Sequence, residues 1–316
     1  METYKYLLDL AIILLCTKAL GLATRKVQMP QVVGALLAGV LLGPAMLGIL
    51  TETSFIHNVA EIGVIVLMFC AGLETDIQEL KASGKASFVI ALIGVIVPLI
   101  GGYATAMFFN RPDVIASDAS CSVFLQNIFI GVILTATSVS ITVETLKEMG
   151  KLSTVVGNTI LAAALIDDIL GLIALTVVTS LGGSSDSNLL IVLLKIVGFF
   201  VFVVVVGMLV KKGMDWYVQN VHSTDLQRYP IFAFVLCLVM AYCAEEFFGV
   251  ADITGSFAAG VIISTTAKSK YIEVKFAPLS YLLLTPIFFA SIGLKVELPE
   301  MSGKVILFAV LLSIVA

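Results

Sequence analysis

Long runs of apolar residues, separated by short polar connectors, extend along the whole chain. A helix needs about 20 consecutive apolar residues to cross the hydrocarbon core of a bilayer. Ten complete runs of roughly this length are present, and an eleventh opens near residue 302 and is still apolar at Ala316. The ten runs cover residues 4–24, 30–48, 58–75, 85–109, 121–146, 152–181, 187–212, 229–248, 252–268 and 276–294. The pattern predicts an all-α polytopic membrane protein.

The composition excludes a water-soluble enzyme. Of the 316 residues, 59% are hydrophobic and 13% are charged, whereas an average soluble domain is about half apolar and about a quarter charged. Lipid must therefore solvate most side chains. The net charge of −4, without a basic block, argues against a nucleic-acid partner. The five cysteines and two histidines lack the spacing of a disulfide framework or metal site, so no cofactor is expected.

Lys and Arg residues are distributed unequally between alternate connectors. If the N-terminus is outside, the internal connectors hold twelve of them and the external side holds four, namely Lys5, Arg111, Lys295 and Lys304. Positively charged residues are retained on the cytoplasmic side of membrane proteins. The sequence therefore predicts an N-terminus outside the cell.

A glycine pattern occurs twice with a constant displacement. Gly34, Gly39 and Gly72 in the second and third runs match Gly255, Gly260 and Gly293 in the ninth and tenth, each 221 residues later. Small residues recur in any membrane helix because they permit close packing, but two matches at one displacement favour a true repeat. The displacement of 221 residues amounts to seven spans, an odd number, so the second copy must be inverted in the membrane. Secondary transporters built from inverted repeats have this plan, here with six helices, one linker helix and six more.

The same displacement places Ala316 opposite Val95 in the fourth run. Most of the second copy's fourth helix, and all of its fifth and sixth, would then follow residue 316. We expect the sequence to be a fragment or to need a continuation supplied elsewhere.

Two adjacent acids, Asp167 and Asp168, lie near the middle of the sixth run. Charged residues deep in a membrane helix are costly and are functional candidates by default. Neighbours on a helix project about 100° apart, so one carboxylate can face a cavity while the other faces a partner, and the two should titrate as a coupled unit. Oxygen ligands suit small hard cations, and protonation removes the attracting charge. The pair predicts a site at which a cation and protons compete; a structural pair satisfied by hydroxyl groups is the alternative.

Hydroxyl residues are concentrated in the fifth run, at Thr135, Thr137, Ser138, Ser140 and Thr142. Ser and Thr compete with the helix for backbone hydrogen bonds. Irregular backbone at membrane depth is tolerated only where it lines a cavity, and its free carbonyl groups suit cation binding. We predict a broken helix here, with Thr135, Thr137 and Ser138 contributing to the ion site. A continuous helix, with each hydroxyl bonded to the preceding turn, is the alternative.

Residues 34–44, 61–76, 135–143 and 165–171 resemble, in sequence and in order, segments of the bacterial cation/proton antiporter family. That family includes the sodium/proton exchangers and the Kef-type potassium-efflux proteins, and the resemblance extends over nearly the whole chain. It implies an NhaA-like inverted-repeat fold and a homodimer in the bacterial inner membrane. It assigns Asp168 to the essential ion-binding aspartate, Asp167 to the preceding position, and Thr135 to Ser140 to the unwound segment.

The resemblance also implies a division of the chain into a scaffold and a core that slides against it. Residues 1–76 and 214–296 would form the two halves of a dimerising scaffold, and 77–182 would form the first half of the ion-binding core. Residues 183–213 would form the linker helix, and 297–316 would begin the second half of the core. Many relatives pair the first aspartate with a lysine midway along the eleventh helix, and this chain has no lysine there before Ala316.

The leading interpretation is therefore antiport of Na⁺ and protons at Asp167 and Asp168 by alternating access. A K⁺/H⁺ efflux antiporter of the Kef type remains an alternative. A non-transporting truncated or regulatory membrane protein is the alternative of another class; the missing half of the core favours it and the intact acidic pair argues against it.

Overall fold

The computed structural model describes residues 4–110, 122–181, 189–220, 227–297 and 303–316. Every regular element within these ranges is helical. The helices are α1 (Lys5–Lys26), α2 (Gln31–Leu42), α3 (Ser54–Glu74), α4 (Ile77–Phe109), α5 (Val123–Thr135), α6 (Val139–Glu148), α7 (Val155–Leu181), α8 (Leu189–Asn220), α9 (Arg228–Phe248), α10 (Asp252–Ser264), α11 (Ser269–Leu279), α12 (Thr285–Leu294) and α13 (Gly303–Val315). A π-helical turn, Ser280–Leu284, joins α11 to α12.

All eleven predicted spans have a counterpart among these helices. Within the described ranges, eight segments are long and apolar enough to cross a membrane, and α2, α10 and α13 are shorter apolar helices. Two of the eight are composite, because Val123–Glu148 comprises α5 and α6 and Ser269–Leu294 comprises α11, the π turn and α12. The predicted starts of the fifth, seventh and eleventh runs lie outside the described residues. The chain is thus a multi-pass membrane protein.

The predicted boundaries of the second and fourth spans were wrong for identifiable reasons. The second span ends at Leu42 rather than at 48, because Gly43 is extended, with ψ near −179°, and Pro44 follows it. Ala45, Met46 and Leu47 are apolar but do not belong to the helix. The fourth span begins at Ile77 rather than at 85, since its first turns remain helical although they carry charge.

Local sequence explains several of the helix ends. The Thr53 hydroxyl accepts a hydrogen bond from the backbone N–H of Ile56, 3.3 Å away, and thereby caps α3. Gly249 ends α9 in the left-handed region, with φ of +62°, where glycine is the least strained residue. Only residues 249–251 then separate α9 from α10.

The chain divides into two compact units. Unit 1 consists of Met1–Ile77, Ser140–Gly157 and Phe199–Leu298, and unit 2 consists of Gln78–Val139, Asn158–Gly198 and Pro299–Ala316. The boundary falls inside the fifth span, so α5 belongs to unit 2 and nearly all of α6 belongs to unit 1. The predicted scaffold and core domains stay a prediction.

Glycines in unit 1 allow two pairs of helices to pack backbone against backbone. A Cβ added to Gly39 of α2 would lie 2.8 Å from the Cα of Gly293 in α12. A Cβ added to Gly72 of α3 would lie 2.9 Å from the Cα of Gly260 in α10. Separations this short are accessible only without side chains, which is the known role of small residues between membrane helices.

The two glycine crossings are related by the internal repeat. Adding 221 residues to Gly39 and Gly72 leads to Gly260 and Gly293. The contact of Gly39 with Gly293 and the contact of Gly260 with Gly72 are therefore the same contact, made once by each copy. Each repeat thus packs its first glycine helix against the second glycine helix of the other copy, and the predicted inverted-repeat fold is confirmed.

We expect Gly72→Ala to lower the stability of the protein, because the new Cβ would lie 2.9 Å from Gly260 Cα. Overpacking of this kind costs about 1–3 kcal/mol. Gly84→Ala in α4 is the matched control, since no described atom lies within 4 Å of that added Cβ and alanine favours a helix by about 1 kcal/mol. Thermal unfolding in detergent measures both variants, and equal melting temperatures would contradict the proposed contact.

Candidate functional site

The fifth span is broken where its hydroxyl residues are concentrated. Helix α5 ends at Thr135, residues 136–138 are not helical, and α6 begins at Val139. Ala136 has φ of −71° and ψ of 104°, which is extended backbone. The predicted break is confirmed, although it is shorter than the expected segment, because Val139 and Ser140 are already helical.

Asp167 and Asp168 lie within the uninterrupted helix α7. Asp167 is buried, with 6% of its surface exposed, and Asp168 is half-buried. Oδ1 of Asp167 and Oδ2 of Asp168 are both buried atoms without a hydrogen-bond partner. An unsatisfied polar atom of this kind costs about 1–3 kcal/mol, and more for a charged group. The pair therefore presents two oxygen atoms that a bound proton or cation would stabilise.

The break and the acidic pair meet inside unit 2. The Thr137 side chain lies within hydrogen-bonding reach of the carboxylate of Asp167, and its hydroxyl donates to the carbonyl oxygen of Thr135, 3.4 Å away. One turn along α7, a Cβ added to Gly171 would lie 3.9 Å from the Thr135 hydroxyl. The α5 end of the break thus lies along the face of α7 that carries Asp167.

A second helix of unit 2 approaches the same carboxylate. A Cβ added to Gly94 of α4 would lie 3.8 Å from Oδ1 of Asp167, the oxygen without a partner. The glycine leaves space beside this oxygen that a larger side chain would occupy.

The predicted site residues differ in their surroundings. Thr135 is buried, with 1% exposure, and its hydroxyl donates to the Val132 carbonyl oxygen at 2.8 Å. Thr137 and Ser138 are exposed. A hydroxyl oxygen that donates one hydrogen bond keeps its lone pairs for a cation. The described part of the chain contains no group of three His, Cys, Asp or Glu residues arranged to hold a resident metal ion.

The arrangement combines carboxylate oxygens with a hydroxyl oxygen at an interrupted helix. Such ligands suit hard cations, including the alkali ions. Protonation of a carboxylate removes the charge that attracts the cation, so binding of a proton and binding of a cation exclude each other. The same carboxylate oxygens therefore offer a place either to a cation or to a proton.

The comparisons with known proteins agree with this chemistry. A profile of the transmembrane sodium/hydrogen exchangers matches residues 10–316. The chain belongs to this family. It is 38% identical to the probable Na⁺/H⁺ antiporter GerT of Bacillus cereus, over 98% of this chain and 78% of that protein. It is 37% identical to a Na⁺/H⁺ antiporter of Enterococcus hirae, over 97% of this chain and 77% of that protein.

A further relative and a solved structure extend the comparison. The Na⁺/H⁺-K⁺ antiporter GerN of Bacillus cereus is 36% identical, over 99% of this chain and 77% of that protein. The sodium/proton antiporter MjNhaP1 of Methanocaldococcus jannaschii has a similar fold, with a TM-score of 0.71 at 20% identity over 99% of this chain and 75% of that one. The expected membership of the cation/proton antiporter family, and its fold class, are confirmed.

Two polar residues that attach α7 to α4 were not recognised from the sequence. Nδ2 of Asn158 donates a hydrogen bond to Glu79 at 2.6 Å, and the Ser87 hydroxyl donates to the Thr159 carbonyl oxygen at 3.1 Å. Asn158 is fully buried. Asn158 itself, the one asparagine of the sixth run, was the available signal, since a polar residue at membrane depth must find a partner in the bundle.

We expect Glu79→Leu to destabilise the exchanger, because the amide of Asn158 would lose its 2.6 Å partner while remaining buried. The cost of such an orphaned group is about 1–3 kcal/mol. The double variant Glu79→Leu/Asn158→Leu should recover part of the loss, and Lys81→Leu, at an exposed position of the same turn, is the control. Melting temperatures that fall equally in Glu79→Leu and Lys81→Leu would rule out this role.

Proposed function

We propose that this chain exchanges Na⁺ for protons across the membrane, with Asp167 and Asp168 as the site that binds both. The observation that carries the proposal is the pair of buried carboxylate oxygens without partners, beside a broken helix in unit 2. Membership of the sodium/hydrogen exchanger family supports the same reaction.

The proposed chemistry is competition for one set of oxygen atoms. With both carboxylates ionised, their negative charge attracts the cation, and the Thr137 hydroxyl supplies a neutral oxygen next to Asp167. Protons neutralise the same carboxylates and release the cation. Alternating exposure of the site to the two sides of the membrane then couples the two gradients.

The setting of the protein in the membrane is part of the proposal. Twelve positive residues in one set of connectors against four in the other support an external N-terminus. The inner membrane, a homodimer, and the division into scaffold and core helices rest on the family resemblance. The break at 136–138 and the aspartates both lie in segments assigned to the core, which supports that division.

A second candidate function is exchange of K⁺ for protons. The relative that favours it is GerN, whose name includes K⁺ as well as Na⁺. Proton flux driven by Na⁺ and by K⁺ in the same proteoliposomes separates the two candidates. A K⁺-selective exchanger would respond little to Na⁺.

We expect Asp168→Asn to reduce cation-dependent proton flux to the level of protein-free vesicles, because the amide cannot ionise. Flux is measured in proteoliposomes that contain the full-length protein. Asp9→Asn is the matched control, since Asp9 is also an acid buried in a membrane helix, with 5% exposure, but lies in α1 of unit 1. Unchanged flux in Asp168→Asn would remove this residue from the mechanism.

We expect Thr137→Val to weaken Na⁺ binding, because it removes the hydroxyl that contacts the Asp167 carboxylate. A hydrogen bond to a charged group contributes about 1.5–3 kcal/mol, so the apparent KM for Na⁺ should rise at least about tenfold. Thr137→Ser keeps the hydroxyl and should retain an apparent KM near that of the wild type. Similar apparent KM values in Thr137→Val and the wild type would show that Thr137 is not part of the site.

A further inference from the structure

Another buried acid, Glu144, lies in unit 1 on α6 and has no role in the proposed exchange site. Only 4% of its surface is exposed, and its Oε2 atom is buried without a hydrogen-bond partner. Charged neighbours on the same helix do have partners. Lys147 Nζ lies 2.8 Å from Glu74 Oε1, and Glu148 accepts a hydrogen bond of 2.7 Å from the backbone N–H of Gln31. Glu144 is therefore the carboxylate of α6 that keeps a buried oxygen atom without a hydrogen-bond partner.

Glu144 lines a cavity of about 390 Å³ within unit 1. The wall includes residues of α1, α2, α6, the π turn and α12. Its polar side chains besides Glu144 are Thr17, Lys18, Gln31, Glu148, Tyr281 and Thr285. A cavity of this volume, lined in part by these polar side chains, has room for several water molecules close to the carboxylate.

The charges around Glu144 leave one negative charge uncompensated. Glu74, Lys147 and Glu148 act electrostatically on Glu144, and Lys18 faces the same cavity from α1. Tyr281, from the π turn, lies under Lys147, whose Nζ is 4.8 Å from the ring centroid. The lining residues contributed by α2 and α12 are not titratable. Three carboxylates thus face two lysines, and a single proton makes the group neutral.

A proton fits this cavity better than a metal cation does. Lys18 lines the same space and would repel a second positive ion. The proton needs one oxygen without a partner and a space for water close by: Oε2 of Glu144 is such an oxygen, and the Glu144 side chain borders the cavity.

We propose that Glu144 is a proton-binding site separate from the aspartate pair and loaded through this cavity. Helix α6 begins directly after the break that contains Thr137, and Glu144 lies between that break and the Glu74–Lys147 ion pair. Gain or loss of a proton at Glu144 therefore changes the charge beside Lys147, whose ion pair with Glu74 fixes the end of α6 that is remote from the break. The consequence is a pH dependence of exchange that the aspartate pair alone does not produce. This consequence rests on the proposed function, whereas proton binding at Glu144 does not.

Infrared spectroscopy tests the proton site without relying on transport. In the full-length Asp167→Asn/Asp168→Asn protein, reconstituted in lipid, we expect a carboxylic acid C=O band that grows on acidification. The band should be lost when Glu144→Gln is added and retained when Glu148→Gln is added instead. A band that persists in Glu144→Gln, or one that Na⁺ abolishes at constant pH, overturns the assignment.

The pH profile of exchange tests the consequence in proteins with both aspartates intact. We expect the midpoint of the profile to shift in Glu144→Gln and to return in Glu144→Asp. An unchanged midpoint in Glu144→Gln, or an equal shift in Glu148→Gln, contradicts a specific effect of Glu144. If the exchange itself were absent from the wild type while the infrared band behaved as expected, the proposed function would fail and the proton site would stand.

Discussion

The central constraint in this protein is that lipid offers no hydrogen bonds, so every charged or irregular element in the membrane needs a partner. Asp167 and Asp168 each have one buried oxygen atom without a hydrogen-bond partner. The nearby backbone of residues 136–138 is not helical. Both departures occur in unit 2, where the Thr137 side chain lies next to the carboxylate of Asp167. In the proposed function, an ion or a proton satisfies the oxygen atoms that the protein itself leaves without partners.

Unit 1 follows a different packing principle. Its repeated helices contact through glycine backbones, at Gly39 with Gly293 and at Gly72 with Gly260. Such contacts bury no charged side chain and leave little freedom of adjustment, because each glycine already occupies the space that a Cβ would need. The same unit holds Glu144 in a cavity with other titratable groups. The glycines of these contacts do not line the cavity, although both features belong to unit 1.

Several features were predictable because they depend on short stretches of sequence. Spans follow from the length of apolar runs, and the break follows from the density of hydroxyl residues between Thr135 and Thr142. Other features were not. Helix α2 ends at Leu42 although Ala45, Met46 and Leu47 remain apolar, since backbone geometry at a Gly-Pro pair, and not polarity, ends it. Glu79 belongs to a helix and bonds to Asn158, 79 residues away.

The sequence by itself determined the membrane class, the inverted repeat, the acidic pair and the location of the broken helix, since these depend on local composition and on spacing along the chain. Only the tertiary structure decided which oxygen of each aspartate lacks a partner, which hydroxyl contacts Asp167, and that Glu144 faces a cavity. The physical reason is that burial and hydrogen bonding are set by neighbours that are distant in sequence, whereas the cost of entering lipid is set residue by residue.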